Sequence, residues 1–217
     1  MVPALSKAWN VLEKNISDME KNTITFAQNV LLLDVTCINE TVYGAKRFLG
    51  ERLGRKLPDT NLVDWLICLG LDAGLRGEEN EVQVLLVADE DAHWLKECEP
   101  ADLSELDGNA CRTSLGEYAF SVVPSAGMVS RAALFNELVQ LALDAKEVER
   151  LMVVPRFSEY GQELAKTFHD FCEDKELDQA DKALCFLMEE PEGVLRCRTD
   201  LATYSLLHIW GVSPEDL

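Results

Sequence analysis

Five short apolar runs, separated by segments with helical spacing, constrain the fold of this chain more than any other feature. Each run is almost continuously apolar, as strands are when helices cover both faces of their sheet. Strands of this kind that alternate with helices form mainly parallel sheets. The pattern therefore predicts an α/β fold, a three-layer α/β/α sandwich with a mainly parallel, Rossmann-like sheet. The runs lie near residues 29–34, 82–88, 118–123, 150–155 and 184–188.

Capping residues and apolar spacing delimit the predicted helices. The segment from Ile38 to about Gly54 repeats apolar residues every three or four positions, which is typical of a half-buried helix. Ser130 stands before another such segment as a helix cap, and Gly211 is placed to end the last helix. No repeat or long linker interrupts the pattern, so residues 1–217 are predicted to form a single α/β domain.

The first twenty residues carry one apolar stripe. Its members are three and four positions apart, as they are along one side of an amphipathic helix. Residues 1–20 are therefore predicted to form an N-terminal helix that packs on the rest of the domain. The stripe consists of Leu5, Trp9, Leu12, Ile16 and Met19.

Charge and composition argue against several classes of protein. A formal net charge of −19 repels nucleic acid at long range, which disfavours DNA binding. The apolar runs are far shorter than the roughly 20 residues of a membrane span, and the N-terminus lacks the pattern of a signal peptide. The seven cysteines include no CxxC pair, and their odd number does not make a complete disulfide framework. We therefore expect a cytoplasmic protein without structural zinc and without a membrane or DNA partner.

A basic cluster in "YGAKRFLGERLGRK" contrasts with this acidic background. One interpretation is a solvated helix face followed by a loop. The other interpretation is an anion-binding surface, which would leave RNA as a partner. Under the second interpretation the anion contacts are Arg47, Arg52, Arg55, Lys56 and, further along the chain, Arg76.

Acidic side chains follow two of the predicted strands. Asp34 ends the first run, and Asp89 and Asp91 follow the second in "VLLVADED". In parallel sheets, ligands bind outside the carboxyl ends of the strands, near the point where the strand order reverses. Asp72 follows apolar neighbours on a helix, and Arg76 stands at the i+4 position to pair with it. Carboxylates that converge would bind Mg²⁺ or Mn²⁺ through hard oxygen ligands, and such ions activate water for phosphodiester cleavage.

Three stretches resemble the NYN branch of the PIN-like ribonucleases: "VLLLDVTCINETV", "NLVDWLICLGLDAGLR" and "VQVLLVADED". That family has a strand ending in Asp with an Asn a few residues later, a helix with two acids, and a strand ending in D-x-D. Either Asp64 or Asp72 would supply the helix acid. The resemblance implies metal-dependent cleavage of RNA on a PIN-like fold. It implies that the catalytic residues are Asp34, Asn39, Asp72 and Asp89, and that Asp34, Asp72, Asp89 and Asp91 hold Mg²⁺ or Mn²⁺.

The motifs also depart from the family pattern. Asn39 is further from Asp34 than in the family, and the helix acids are eight positions apart. Ala92 and His93 stand where the family has Phe or Tyr after D-x-D. Asp34 could instead simply cap the next helix. We therefore favour a degenerate, non-catalytic scaffold without a required cofactor, which acts through a protein partner or as a homo-oligomer. The alternative is a Mg²⁺- or Mn²⁺-dependent ribonuclease.

Other enzyme classes fit the sequence less well. A haloacid dehalogenase phosphatase needs a second acid two residues after its nucleophilic Asp, where this chain has Thr36. A dinucleotide-binding protein needs glycines after its first strand, and the turn "DVTCINE" has none. The G-x-S-x-G motif of serine hydrolases is absent. In "LDAGLRGEENEVQV", "LMVVP" and "YSLLHIWGV", the chain is also similar to a protein family of gut bacteria that has no assigned activity.

Overall fold

A seven-stranded mixed sheet forms the centre of the computed structural model, which describes residues 25–174, 181–188 and 195–216. The sheet is mainly parallel and helices pack against it, which confirms the predicted α/β class. The expected N-terminal helix over residues 1–20 lies outside the described residues. Within the described part of the chain, no helix combines the length and apolarity needed to cross a membrane.

The elements follow one another with short connections. They are β1 Asn29–Asp34, α1 Val35–Leu53, β2 Thr60–Asn61, α2 Leu62–Asp72, β3 Asn80–Ala88, β4 Cys98–Glu99, α3 Leu103–Leu106, β5 Ala110–Thr113, β6 Gly116–Pro124, α4 Arg131–Asp144, β7 Arg150–Val154, α5 Phe157–Asp174, β8 Ala183–Leu187, β9 Arg198–Leu201 and α6 Ala202–Ile209. A short 3₁₀ turn follows at Pro214–Asp216.

The strand order of the sheet is β5-β6-β3-β1-β7-β8-β9. Only β5 runs antiparallel to its neighbour, and the other pairs of the sheet are parallel. Strand β1 is central, with β3 on one side and β7 on the other. The chain moves from β1 to β3 and β6 in one direction, and then from β7 to β9 in the other. The ends of β1, β3 and β7 therefore meet at one side of the sheet, which we call the carboxyl edge.

Two apolar clusters lie on opposite faces of this sheet. Leu31 and Leu33 of β1 belong to one cluster, together with residues of α1, α2 and α6. Val30 and Leu32 belong to the other, together with residues of α4 and α5. Successive side chains of a strand point to opposite faces, so the alternation within β1 separates the two clusters. Both faces of the central strands are thus buried, which explains why their sequences are continuously apolar.

The five apolar runs all coincide with strands, whereas the two outer strands were not predicted. Strands β5 and β9 are four residues long and half-exposed, so they contain no apolar run. The cap predictions are confirmed at Ser130, whose hydroxyl accepts from the Ala133 N–H at the start of α4. Helix α1 begins at Val35 and not at Ile38, because Asp34 itself is its cap.

Candidate functional site

The Asp34 carboxylate is fully buried at the end of β1 and accepts three hydrogen bonds. Its Oδ1 accepts from the Cys37 N–H at 2.9 Å, which caps α1. Its Oδ2 accepts from the Tyr160 hydroxyl at 2.7 Å and from Nη1 of Arg131. An isolated carboxylate in an apolar interior is very costly, so these donors are what permit its burial.

Arg131 connects three acidic residues from separate parts of the fold. It is the first residue of α4 and is only 5% exposed. Besides Asp34, its Nε donates to Asp89 Oδ2 at 3.0 Å and its Nη2 to Glu159 Oε2 at 2.5 Å. Asp89 directly follows β3, and Glu159 lies in the first turn of α5, so all of these groups lie at the carboxyl edge. A guanidinium thus supplies the positive charge at the point where the strand-end acids converge.

A second arginine extends the network outward from β7. The Arg156 guanidinium binds both oxygens of Glu40, at 2.8 and 2.7 Å, and one oxygen of Glu159 at 2.7 Å. Partial burial acts to raise the pKa of Glu159, but hydrogen bonds from Arg156 and Arg131 outweigh it and lower the pKa. Glu159 therefore stays ionised between the two arginines. Together these pairs join α1, α4 and α5 around the end of β1.

Tyr160 is held in a conformation that aims its hydroxyl at Asp34. Its backbone angles, φ −133° and ψ 24°, are not helical, although the residue lies within α5. The hydroxyl accepts from the Arg156 N–H at 3.0 Å and donates to Asp34. Burial raises the pKa of Tyr160 well above its usual value, so the hydroxyl remains protonated and serves as a donor.

Asp89 and Asn39 lie at the same edge but have different partners. The Thr36 hydroxyl donates to Asp89 Oδ2 at 3.2 Å, beside the bond from Arg131. The Asn39 side chain instead binds the loop after β3, donating to the Trp94 carbonyl at 3.1 Å and accepting from the Lys96 N–H at 2.6 Å. Asn39 thus fixes a loop, and the contacts of its side chain are not with Asp34.

The helix acid Asp72 is not brought to this cluster. It lies four residues before Arg76, whose carbonyl accepts from the Asn80 side chain at the beginning of β3. Asp34 of β1 pairs with Val87 of β3, and Val87 is seven residues beyond Asn80. Seven residues of a strand span ~23 Å, so Asp72 and Asp34 lie near opposite ends of β3. Partial burial and then the charge of Asp200 raise the pKa of Asp72, while Arg76 acts to lower it.

The remaining predicted residues are on the surface. Arg76 donates to the carbonyls of Leu71 and Leu75, at 2.8 and 2.6 Å, so these bonds replace the expected pair with Asp72. Asp91 is exposed in the turn after β3, and Asp64 is exposed in the first turn of α2. In the described ranges, no three His, Cys, Asp or Glu side chains are arranged to hold a metal ion.

The basic cluster divides between structural and solvated residues. Lys46 is buried and pairs with Asp59 at 2.9 Å and Glu97 at 2.5 Å. These ion pairs connect α1 to the loops that precede β2 and β4. Arg47 pairs with Glu51 at 3.3 Å on the exposed side of α1. The other three basic residues of the cluster, Arg52, Arg55 and Lys56, are exposed.

Sequence reasoning missed Arg131, Glu159 and Tyr160. Two signals pointed to them. Arg131 directly follows the predicted cap Ser130, and helix starts after parallel strands lie at the carboxyl edge. Glu159 and Tyr160 stand five and six residues after the end of β7, in the same position relative to the sheet. Acids at strand ends need a counter-charge, and the first turns of the neighbouring helices are where one would be found.

Fold and site together define an α/β protein with a mainly parallel sheet, whose strand-end acids are joined by a buried arginine. The chain belongs to the family of unknown function DUF6621, whose profile matches residues 23–217. The matched region begins just before β1 and covers every described element. Searches of curated proteins and of solved structures found no match to the chain.

Proposed function

We propose that this chain is a degenerate, non-catalytic PIN-like scaffold that acts in the cytoplasm by binding another protein. Two observations support the fold part of the proposal. The six parallel strands of the sheet lie in the order β6-β3-β1-β7-β8-β9. When they are renumbered one to six along the chain, this order is 3-2-1-4-5-6, which is typical of doubly wound sheets. Apolar clusters on both faces fit a three-layer arrangement. The seven free cysteines fit a reducing compartment.

The observation that carries the non-catalytic part is the position of Arg131. Its guanidinium bonds to Asp34, Asp89 and Glu159 at once, the acids that a strand-end metal ion would need. A divalent ion would have to displace this nearly buried cation and take over its bonds. Breaking a buried ion pair of this kind costs about 3–5 kcal/mol, so Mg²⁺ or Mn²⁺ at ordinary concentrations would compete poorly.

One feature favours the alternative, a Mg²⁺- or Mn²⁺-dependent ribonuclease. Carboxylates from three separate elements converge on a single cation, as they do in hydrolytic metal sites. If the Arg131 side chain moved outward, Asp34 and Asp89 would be free to bind an ion with Glu159. The family resemblance of the Asp34 and Asp89 segments points the same way. This alternative requires that the metal compete successfully with the arginine.

Calorimetric titration of Mn²⁺ separates the two functions. The proposal expects no saturable Mn²⁺ binding by the wild type, and no cleavage of single-stranded RNA with Mn²⁺ or Mg²⁺. Asp34→Asn should behave like the wild type, as should the matched control Asp64→Asn, whose side chain is exposed on α2. Saturable binding and RNA cleavage by the wild type, both lost in Asp34→Asn and kept in Asp64→Asn, would establish the nuclease instead.

A further inference from the structure

An apolar side chain is held in solvent close to the arginine network. Met128 lies in the loop between β6 and α4 and is 104% exposed. The loop contains a turn in which the Val129 N–H donates to the Ala126 carbonyl at 3.3 Å and Gly127 has a φ of 64°. Val129 is itself 45% exposed. Two neighbouring apolar side chains are therefore presented by a fixed turn.

This turn is anchored next to Asp89. At its start, the Ser125 N–H donates to the carbonyl of Ala88, the residue before Asp89, at 2.8 Å. At its end, Arg131 binds the Asp89 carboxylate. The turn that contains Met128 and Val129 therefore lies beside the acidic turn that follows β3.

Trp94 follows the same acidic turn and is bound to α1, which packs on the opposite face of the sheet from α4. Its side chain is 55% exposed, while its carbonyl is bound by the side chain of Asn39. Asn39 lies one helical turn after Thr36, which binds Asp89. Contacts through the first two turns of α1 thus position the Trp94 backbone relative to Asp89.

The acidic turn after β3, which is next to both of these segments, is negatively charged. Glu90 and Asp91 are both exposed and follow the half-exposed Asp89. The network beneath contains four carboxylates and only two guanidiniums, so it leaves an excess of two negative charges. A ligand that fits must combine positive charge with apolar side chains.

We propose that this strand-end surface, formed by Trp94, Met128, Val129, Glu90 and Asp91, binds a segment of a partner protein that combines lysine or arginine with aliphatic or aromatic residues. This inference rests on the proposed function as a protein-binding scaffold, and it specifies the chemistry of the partner segment. Nucleic acid does not fit, because its phosphates would face these acids. A symmetric contact of this surface with the same surface of a second copy does not fit either, since the same acids would meet each other.

The test uses a fluorescein-labelled twelve-residue peptide of alternating lysine and leucine, with anisotropy as the readout. The wild type should bind it, and should bind versions with glutamine for lysine or serine for leucine much more weakly. The double variant Trp94→Ser/Met128→Ser should weaken binding about tenfold or more, as expected when two buried apolar contacts are lost. Glu90→Gln/Asp91→Asn should weaken binding and reduce its dependence on salt.

Matched controls separate a specific surface from general attraction by the acidic chain. Tyr204→Ser removes an exposed aromatic ring on α6, and Glu78→Gln/Glu79→Gln removes two exposed charges before β3. Both controls should bind the peptide as the wild type does. Equal weakening by surface and control variants, or no binding by the wild type, would overturn the inference. So would a dimer in light scattering that Met128→Ser converts to a monomer.

These outcomes are independent of the Mn²⁺ titration. If the wild type bound Mn²⁺ and cleaved RNA, the proposed function would fail whatever the peptide did. If neither Mn²⁺ nor the peptide bound, only the inference about the partner would fail.

Discussion

Replacing Arg131 with methionine removes the charge that links the acids at the carboxyl edge while keeping most of the side-chain volume. The substitution leaves the fully buried Asp34 without its counter-ion. Two donors remain to Asp34, the Cys37 N–H and the Tyr160 hydroxyl, which moderates the loss. Breaking a buried ion pair costs about 3–5 kcal/mol, so we expect the free energy of unfolding to fall by about 3 kcal/mol, the lower end of that range.

Urea unfolding followed by circular dichroism measures this loss. With a slope of about 2 kcal/mol per molar urea, 3 kcal/mol corresponds to a midpoint lower by roughly 1.5 M. A double-mutant cycle with Asp34→Asn assigns the loss to the pair. The double variant should be more stable than the sum of the single losses predicts, by about 2 kcal/mol, because it leaves no unpaired buried charge.

The control is Arg47→Met, at an arginine whose side chain is 69% exposed and pairs with an exposed glutamate. This variant should unfold within about 0.5 kcal/mol of the wild type. The reasoning is refuted if Arg131→Met is equally mild, or if its effect is simply additive with that of Asp34→Asn. Either result would mean that the guanidinium does not balance the buried carboxylate.

Two further effects should follow from the same network. Tyr160→Phe removes the hydroxyl that donates to Asp34 at 2.7 Å and should lower the free energy of unfolding by about 1–2 kcal/mol in the urea assay, whereas no change would show that the donor is dispensable. For Glu159, the arginines lower the pKa in the folded state below the usual 4.5, so the unfolded chain takes up the proton first as the pH falls. Its stabilisation is therefore complete above the unfolded pKa and is lost as the pH falls through the folded pKa. Between about pH 5 and pH 3 the urea midpoint of the wild type should decrease more than that of Glu159→Gln, and parallel decreases would contradict this account.

The central sheet was predictable because its strands are buried on both faces. Strand β1 has four consecutive apolar residues, Val30 to Leu33, between the polar residues Asn29 and Asp34, and such a run is typical of a strand that is buried on both faces. The outer strands β5 and β9 are polar and short, and their positions depend on pairing with β6 and β8 and not on their own pattern. Local sequence carries no signal for such pairing.

The site was predictable only in part, because some of its residues are far from Asp34 along the chain. Asp34 and Asp89 end strands, so their location at one edge follows from the parallel sheet alone. Arg131 and Glu159 are 97 and 125 residues after Asp34, and they reach it only because β7 pairs with β1 on the side opposite β3. Asp72 shows the converse. Asp72 is the last residue of α2, and the chain leads from there into the beginning of β3. Asp72 therefore lies near the amino end of β3 and not at the carboxyl edge.

The buried guanidinium of Arg131 also affects how the stability of the fold depends on ions in solution. With Arg131 in place, the positive charge among the acids is part of the chain and is present at every solution composition. In a chain without it, either a proton or a cation from solution would have to balance the buried carboxylate. A cation at a hundred times its dissociation constant adds about 2.7 kcal/mol of stability, close to the loss expected for Arg131→Met. By linkage, stability supplied by a bound cation varies with the concentration of that cation, whereas stability supplied by Arg131 does not.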